Sequence, residues 1–358
     1  MNFITYKFRV KDSGAKRRLE RMSRSVNFVW NFCVATQREA ERRRRGGMSV
    51  RWPSGFDLDM LTKSIAAEIG LHSDTVTQTC RQFAKSRNQH RRCPRFRASF
   101  GPKRSLGWIP FVVRYGTKVD GAAFHYLGCK YRFWKSREIE GVFKSGAFVQ
   151  DARGRWYVTF QCEVADALPA ETGAVGIDLG LKDLATCSDG TKVPALQHYR
   201  RYADALAKAQ RSRNKKRVRA IHAKIANSRR HHHHVESTRI ARENKIVVVG
   251  DVSASKLAKT RMAKSVSDAG WYAFKAMLRY KTARRRGTFL EVSERFTTQA
   301  CSRCGCISDS SPKGIGALGI RRWDCSACGA SHDRDVNAAQ NILRAGLECQ
   351  PPVEEIAA

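Results

Sequence analysis

Acidic side chains are scarce in this chain. Asp and Glu together number 32 against 67 Lys and Arg, a formal charge of +35 over 358 residues. A chain so unbalanced repels itself unless a polyanion neutralises it. Nucleic acid is the first partner this suggests, and an anionic membrane surface the second. Long apolar runs are missing too: no stretch approaches the ~20 residues that cross a bilayer. The basic residues also spread through the whole chain, so no membrane partner is expected. No export signal is expected, because Met1–Val10 alternates like a strand. The twelve cysteines therefore read as thiols and metal ligands in a reducing cytosol rather than as a disulfide framework. The expected location is the cytoplasm, on the nucleoid. No internal repeat is visible, which sets aside a solenoid. The length allows two or three domains.

What is present concentrates between Phe289 and Leu343. Cys301-x2-Cys304 and Cys325-x2-Cys328 are paired knuckles about twenty residues apart. Each knuckle sets two thiolates on one tight turn, and two knuckles complete a tetrahedron for Zn²⁺. Gly305 and Gly329 follow the second cysteine of each pair, where the turn needs a residue free to take positive φ. Four thiolates leave no open position for substrate, so the zinc is structural. It would contribute ~10–16 kcal/mol to folding of this small unit. Cys306 is a spare thiol beside it. The remaining cysteines, including Cys33, Cys80 and Cys162, read as core or surface thiols.

Before that stretch the texture changes twice. Residues 2–10 alternate as a strand. From Gly14 to about Arg45, Leu19, Met22, Val26, Val29, Trp30 and Cys33 recur at helical steps, and Arg42–Arg45 with Gly46-Gly47 ends the helix. A second helical block runs from Phe56 to about Asn88 with a break near Gly70. Its last helix carries Thr77, Gln78, Arg81, Gln82 and Lys85, types that read base edges in a major groove or simply face solvent. Between about Leu106 and Val164, short alternating segments with Asp-Gly and Arg-Gly turns predict an antiparallel sheet or barrel. The first strand would join it, making the helical block an insertion. Tyr131-Arg132-Phe133-Trp134-Lys135 interleaves aromatics with cations, which suits RNA bases, with about half of such aromatics expected in the core.

After a linker at Ala167–Gly173, apolar residues flank Asp178 on both sides, as in a buried central strand. A carboxylate there is costly unless a cation meets it. Asp189-Gly190 marks a hairpin. Tyr199–Glu243 reads as long, helical and very basic, with Val218, Ile221 and Ile225 as its apolar stripe. Four consecutive histidines, His231–His234, point in four directions and read as a weakly basic helix face, not a metal site. Lys245–Asp251 is a second buried strand, Trp271–Arg286 an amphipathic helix, and Thr288–Ser293 a third strand. Leu290, Val292 and Glu294 share one side if that strand stays regular. Residues 350–358 form a loose tail. Asp178, one acid near a strand end, and Asp335 opening a helix form a set that binds hard divalent ions, Mg²⁺ above all. In a strongly cationic chain such a set points to phosphodiester hydrolysis.

Gly-Ile-Asp178-Leu-Gly, the Ile246–Asp251 strand, Asp268-Ala-Gly-Trp271, Thr-Thr-Gln-x-Cys301-x2-Cys304-Gly, Cys325-x2-Cys328-Gly and Asp333-Arg-Asp335-Val-Asn-Ala-Ala-x-Asn together resemble TnpB. TnpB proteins are transposon-encoded RNA-guided nucleases, related to small type V CRISPR effectors and to Fanzor proteins. The earlier half is similar more loosely, in Val29-Trp30-Asn31 and Pro94-Arg95-Phe96. The resemblance implies a mixed α/β and β multidomain fold. Its parts would be a wedge β-barrel (1–12 and 100–168), a helical recognition insertion (13–99), an RNase H-like RuvC nuclease domain (174–296 and 332–347) and a zinc-finger target-loading module (297–331). It also implies a guide RNA from the transposon end or a CRISPR-like locus, and cleavage of double-stranded DNA beside a short transposon-adjacent motif. One departure matters. The family's second strand usually ends Glu-Asp, and here Gly250-Asp251 stands there. Fanzor proteins and a subset of TnpB carry a glutamate just before the Thr that leads into the first knuckle, and Glu294-Arg-Phe-Thr297 is similar. The catalytic, Mg²⁺-holding set implied is thus Asp178, Glu294 and Asp335. Asp251 as third ligand, or a dead site in an RNA-guided DNA-binding repressor, are the alternatives.

Overall fold

Alternation in the first residues does make a strand, β1 (Asn2–Arg9), with Tyr6 and Phe8 turned inward. In this computed structural model the described residues are 2–11, 13–113, 117–170, 172–257, 259–314, 317 and 319–349. The expected tail at 350–358 lies outside them. The chain divides into two units, residues 1–165 and 166–358.

In the first unit, α1 (Ser13–Arg45), α2 (Gly55–Thr62) and α3 (Ser73–His90) follow β1. Then come β2 (Trp108–Val112), β3 (Lys118–Asp120), β4 (Ala123–Tyr126), β5 (Cys129–Arg132), β6 (Val142–Gln150) and β7 (Trp156–Val164). Among the described residues the strands form two antiparallel sheets, β1-β7-β6-β2 and β3-β4-β5, joined by a bridge from Val10 to Phe133. The helices do not have a core of their own. Leu19, Val26, Cys33 and Phe83 pack into the same cluster as Phe111, Phe124, Tyr131, Phe148 and Phe160. The aromatic–cation run divides as alternation requires: Tyr131 and Phe133 are fully buried, while Trp134 is exposed under the Lys11 ammonium. The two short segments singled out in the first half touch each other. Trp30 Nε1 donates to the Arg95 carbonyl at 3.0 Å, Asn31 exchanges two hydrogen bonds with the Arg97 backbone, and the Arg97 guanidinium lies 3.5 Å over the Trp30 ring. Burial pulls Arg97 down to about 10.

Among the described residues the main sheet of the second unit has five strands. They are β8 (Gly173–Asp178), β9 (Asp183–Cys187), β10 (Lys192–Pro194), β11 (Asn244–Gly250) and β12 (Thr288–Val292), in the order β10-β9-β8-β11-β12. The first three run antiparallel, and β8, β11 and β12 run parallel. Between them lie α4 (Ala203–Arg211), α5 (Lys215–Glu243), α6 (Ala254–Leu257), α7 (Ala263–Ala269) and α8 (Trp271–Arg284). A two-stranded hairpin, β13 (Arg322–Asp324) with β14 (Ser331–Asp333), leads into α9 (Arg334–Glu348). This is a mixed α/β layout. Two expectations need correction. The basic 199–243 stretch is not one helix, because Arg213 turns left-handed and Asn214 caps a new start. That break lets Ile221 and Ile225 fold back onto Leu206 and Ala209. Nor is His231–His234 wholly a solvated face: His233 is buried against Phe274, and burial with the neighbouring His232 pulls it down to about 4. In the expected linker, the Ala167 and Ala170 amides donate to the carbonyls of Arg284 and Arg285.

Pleating sorts the sheet into two faces. Val175, Ile177, Val247 and Val249 pack with Ile240, Phe274 and Leu278 on one side. Gly176 and Val248, paired in register, meet α9 on the other. A Cβ on Gly176 would fall on the Ala339 carbonyl and within 2.6 Å of the Leu343 amide. The glycine lets α9 lie flat on the sheet. Gly176→Ala is therefore expected to destabilise by about 1–3 kcal/mol, read as a lowered urea midpoint. Gly14→Ala, which meets nothing within 4 Å, should be near neutral. Equal midpoints would show that α9 does not need this close approach.

Candidate active site

Asp178 is the last residue of β8 and lies, by alternation, on the Gly176 side of the sheet, the side covered by α9. Asp335 sits in the first turn of α9, one turn before Ala339. Two residues along a strand and four along a helix both span about 6 Å, so the pair at Gly176 and Ala339 brings the two carboxylates to the same end. The charge of Asp335 accordingly helps to raise Asp178. Val249 of β11 stands opposite Ile177, so Gly250 comes beside Asp178 at the ends of neighbouring parallel strands. β12 ends at Val292, and Glu294 lies in the turn just after it.

Glu294 fills the room above Gly250. A Cβ on Gly250 would overlap the Glu294 Oε1 and come within 2.5 Å of its Cγ and 2.7 Å of its Cδ. The backbone of Gly250 is ordinary; the side chain of residue 294 is what leaves no space there. Glu294 Oε1 is buried without a hydrogen-bond partner. Asp251, the alternative third ligand, is exposed, and its Oδ1 accepts from the Glu294 amide at 3.2 Å. It braces the turn that carries Glu294.

Both inner carboxyls are held well above their ordinary values. Asp178 is pushed up to about 7, by burial first and then by Asp335. Glu294 is pushed up to about 7, by burial and then by Asp178 and Asp251. These are acids short of a cation, the donor set a hard divalent ion satisfies. Asp335 is already engaged. Arg321 Nη1 donates to its Oδ2 at 2.9 Å and Oδ1 at 3.3 Å, and Arg334 Nη2 to Oδ1 at 3.1 Å. Sequence reasoning missed both arginines; the only signal was Arg334 flanking Asp335. Among the described residues, the group of three or more acids, cysteines or histidines whose ligand atoms all fall within 4.8 Å is the four cysteines, so the three carboxylates stand further apart than that.

The raised acids set a pH dependence. A carboxyl whose folded value exceeds its unfolded one stabilises the fold fully below the unfolded value, and that contribution is lost as pH rises through the folded one. For Asp178 and Glu294 the loss runs from about 4 to about 7. Protein dialysed free of Mg²⁺ but keeping its zinc is expected to lose Tm between pH 5 and pH 8. The loss should shrink in Glu294→Gln and be reversed by millimolar Mg²⁺ at pH 8. A Tm that climbs over this range without Mg²⁺ would contradict it.

The four cysteines converge as their spacing predicts. Cys301 and Cys328 sulfurs are 3.6 Å apart, and those of Cys304 and Cys325 are 3.8 Å apart. A tetrahedron with metal–sulfur bonds of 2.3 Å has edges of about 3.8 Å. Gly305 and Gly329 both take positive φ, and each donates its amide back to the first cysteine of its knuckle at 2.8 Å. Cys306 is exposed and stands outside the group. His332 Nε2, which sequence reasoning passed over, is 3.0 Å from the Cys301 sulfur, with its ring against Trp323. The first knuckle is fastened to α9. Asn337 and Asn341, one turn apart, both donate to the carbonyls of Thr297 and Ala300, and Asn337 Oδ1 accepts from the Ser302 amide. That explains why Thr-Thr-Gln-x-Cys and Asn-Ala-Ala-x-Asn occur together.

Comparison with known proteins draws on the same segments. The family model described as Cas12f1-like, TNB domain matches residues 271–342, which include Glu294, the cysteines and Asp335. The OrfB_IS605 model, described as a probable transposase, matches residues 158–261, which include Asp178 and Gly250. A Streptomyces pristinaespiralis protein named as a candidate RNA-guided DNA endonuclease is 42% identical over 214 residues, 55% of this chain and 52% of that protein. The chain thus spans about half the length of that relative. InsQ of Escherichia coli K12, named in the same way, is 27% identical over 383 residues, 95% of this chain and 92% of that protein. Among solved structures, a Cas12f1–sgRNA–target DNA complex is similar at a TM-score of 0.38 and 15% identity, over 96% of this chain and 99% of that one.

Proposed function

Since this chain belongs to the TnpB family, we propose that it is an RNA-guided DNA endonuclease that cuts double-stranded target DNA beside a short transposon-adjacent motif. Guide RNA from the transposon end or a CRISPR-like locus would select the sequence by base pairing, and the protein would read the flanking duplex. The observation that carries this reading is Glu294 lying in the space over Gly250 with a buried, unpartnered oxygen. The acid missing from β11 is supplied by the turn after β12.

Asp178, Glu294 and Asp335 would hold Mg²⁺, and Cys301, Cys304, Cys325 and Cys328 a structural Zn²⁺. Bound Mg²⁺ would make a coordinated water more acidic and would supply positive charge for the departing oxygen of a phosphodiester. Asp178 and Glu294 must shed their protons to serve, which the ion's charge favours. Arg321 and Arg334 neutralise Asp335 until it is needed. Lys275 and Arg279 tie Glu291 on the exposed side of β12, which keeps that acid out of the site. The exposed Lys215, Lys216, Arg217 and Arg219 at the start of α5 would grip the backbone of the guide–target duplex, with affinity falling steeply as salt rises.

The test is co-purification with the neighbouring non-coding RNA, followed by incubation with a plasmid library carrying randomised flanks. Cleavage is expected only with Mg²⁺ and only beside one short motif. A complex that binds its target and never cuts would favour the repressor reading, to which the double arginine hold on Asp335 lends some support.

A further inference from the structure

A cavity of about 400 Å³ opens in the second unit between the turn after β10 and α7, and is lined by none of the three proposed catalytic acids or the four zinc-site cysteines. Its size falls in the range of small-ligand pockets, which are apolar with a few convergent polar groups. Leu181, Leu184 and Leu196 supply the apolar wall. Two polar groups are left over. His198 is 4% exposed; its Nδ1 is 3.0 Å from the Ser228 hydroxyl, and its Nε2 has no hydrogen-bond partner. Asp268, whose charge acts on that ring, accepts the Tyr199 amide on Oδ2 at 2.8 Å. Its Oδ1 is buried without a hydrogen-bond partner, Arg229 Nη1 standing 3.7 Å off. A buried polar atom without a hydrogen-bond partner is costly in the folded state. At the mouth stand Arg200, Arg261 and Lys264, all exposed cations.

We propose that this cavity binds one nucleotide, its base edge meeting Asp268 Oδ1 and His198 Nε2 and its phosphate meeting the three cations. A nucleobase edge carries a hydrogen-bond donor beside an acceptor, which suits a carboxylate next to a neutral imidazole. A flat ring fills an apolar slot, and the cations complement a phosphate. A simple sugar phosphate satisfies the rim and leaves the wall bare. The same chemistry is offered by a free mononucleotide and by an unstacked nucleotide of a bound strand. The proposal rests on the nucleic-acid part of the function above and not on cleavage. A failure of nucleotide binding leaves cleavage intact, and a failure of cleavage leaves nucleotide binding intact.

The test is calorimetry on the full-length protein with the four nucleoside 5′-monophosphates, ribose 5-phosphate and inorganic phosphate. At least one mononucleotide is expected to bind with a Kd below about 1 mM, and ribose 5-phosphate at least roughly ten-fold more weakly. Ala203→Trp, which fills the cavity, should abolish the heat. The double charge reversal Arg261→Glu/Lys264→Glu, confined to exposed side chains, should weaken binding at least roughly ten-fold without lowering Tm. A single-stranded oligonucleotide of the best-bound base separates the sources. If Ala203→Trp weakens it in parallel, the occupant is a strand nucleotide; if only the mononucleotide is affected, it is a free one. Absence of binding by all four, or equal binding of ribose 5-phosphate, would overturn the proposal.

Discussion

Glu294→Ala is expected to lower target cleavage by at least ~10³-fold, about 4 kcal/mol of barrier, with guide and target binding unchanged. Removing a carboxylate from the proposed ion-holding set would take away charge the reaction needs, while the basic surfaces proposed to grip nucleic acid would be untouched. The sharper result comes from moving the acid. Gly250→Glu alone should be destabilised and poorly active, because its side chain would run into Glu294. In the Glu294→Ala background the same substitution has room, and cleavage should recover at least about ten-fold over Glu294→Ala alone, about 1.4 kcal/mol. Full activity in Glu294→Ala would remove residue 294 from the site. Tolerance of Gly250→Glu in the wild-type background would show that the two side chains do not compete for one space.

Cys325→Ser is expected to abolish the bound zinc, from one ion per chain to none by elemental analysis. Structural zinc contributes on the order of 10–16 kcal/mol to folding, comparable to the whole stability of a domain, about 5–15 kcal/mol. The hairpin β13–β14, with its small cluster of Cys301, Trp323 and Cys325, is expected to unfold without it. Limited proteolysis should then cut within 298–332. Cleavage of target should also vanish, because Asn337 and Asn341 bind the Thr297–Ala300 carbonyls from the helix that bears Asp335. Cys306→Ser is the control and should keep one zinc and full activity. Retention of zinc by Cys325→Ser, or its loss from Cys306→Ser, would mean the ligands are misassigned.

How far the chain could be read depended on whether a signal was local. The strand around Asp178, the knuckles and the Asp189-Gly190 hairpin are spelled out within a few residues, and each is where it was expected. The break at Arg213 was not readable, because a basic helix and a basic hairpin have similar composition. What decides between them is the packing of Ile221 and Ile225 on Leu206 and Ala209. His233 was misjudged for the same reason: its burial comes from Phe274, forty-one positions on. The two sheets of the first unit were expected as one sheet or barrel, since alternation gives strands but not their pairing. At the acidic site, sequence could name Glu294 only through family resemblance. Its place over Gly250 and the arginines on Asp335 depend on elements far apart in the chain.

The exclusion between residues 250 and 294 also constrains ancestry. Two lineages, one with its acid on the strand and one with it on the turn, cannot be connected by simply adding one glutamate and later dropping the other, because the double form is crowded. The route through neither acid is open sterically but, on the role proposed for this acid, would pass through a protein that does not cut. Intermediates should therefore be rare or inactive, and a chain with glycine at 250 and a non-acid at 294 is best regarded as a retired nuclease kept for its hold on nucleic acid.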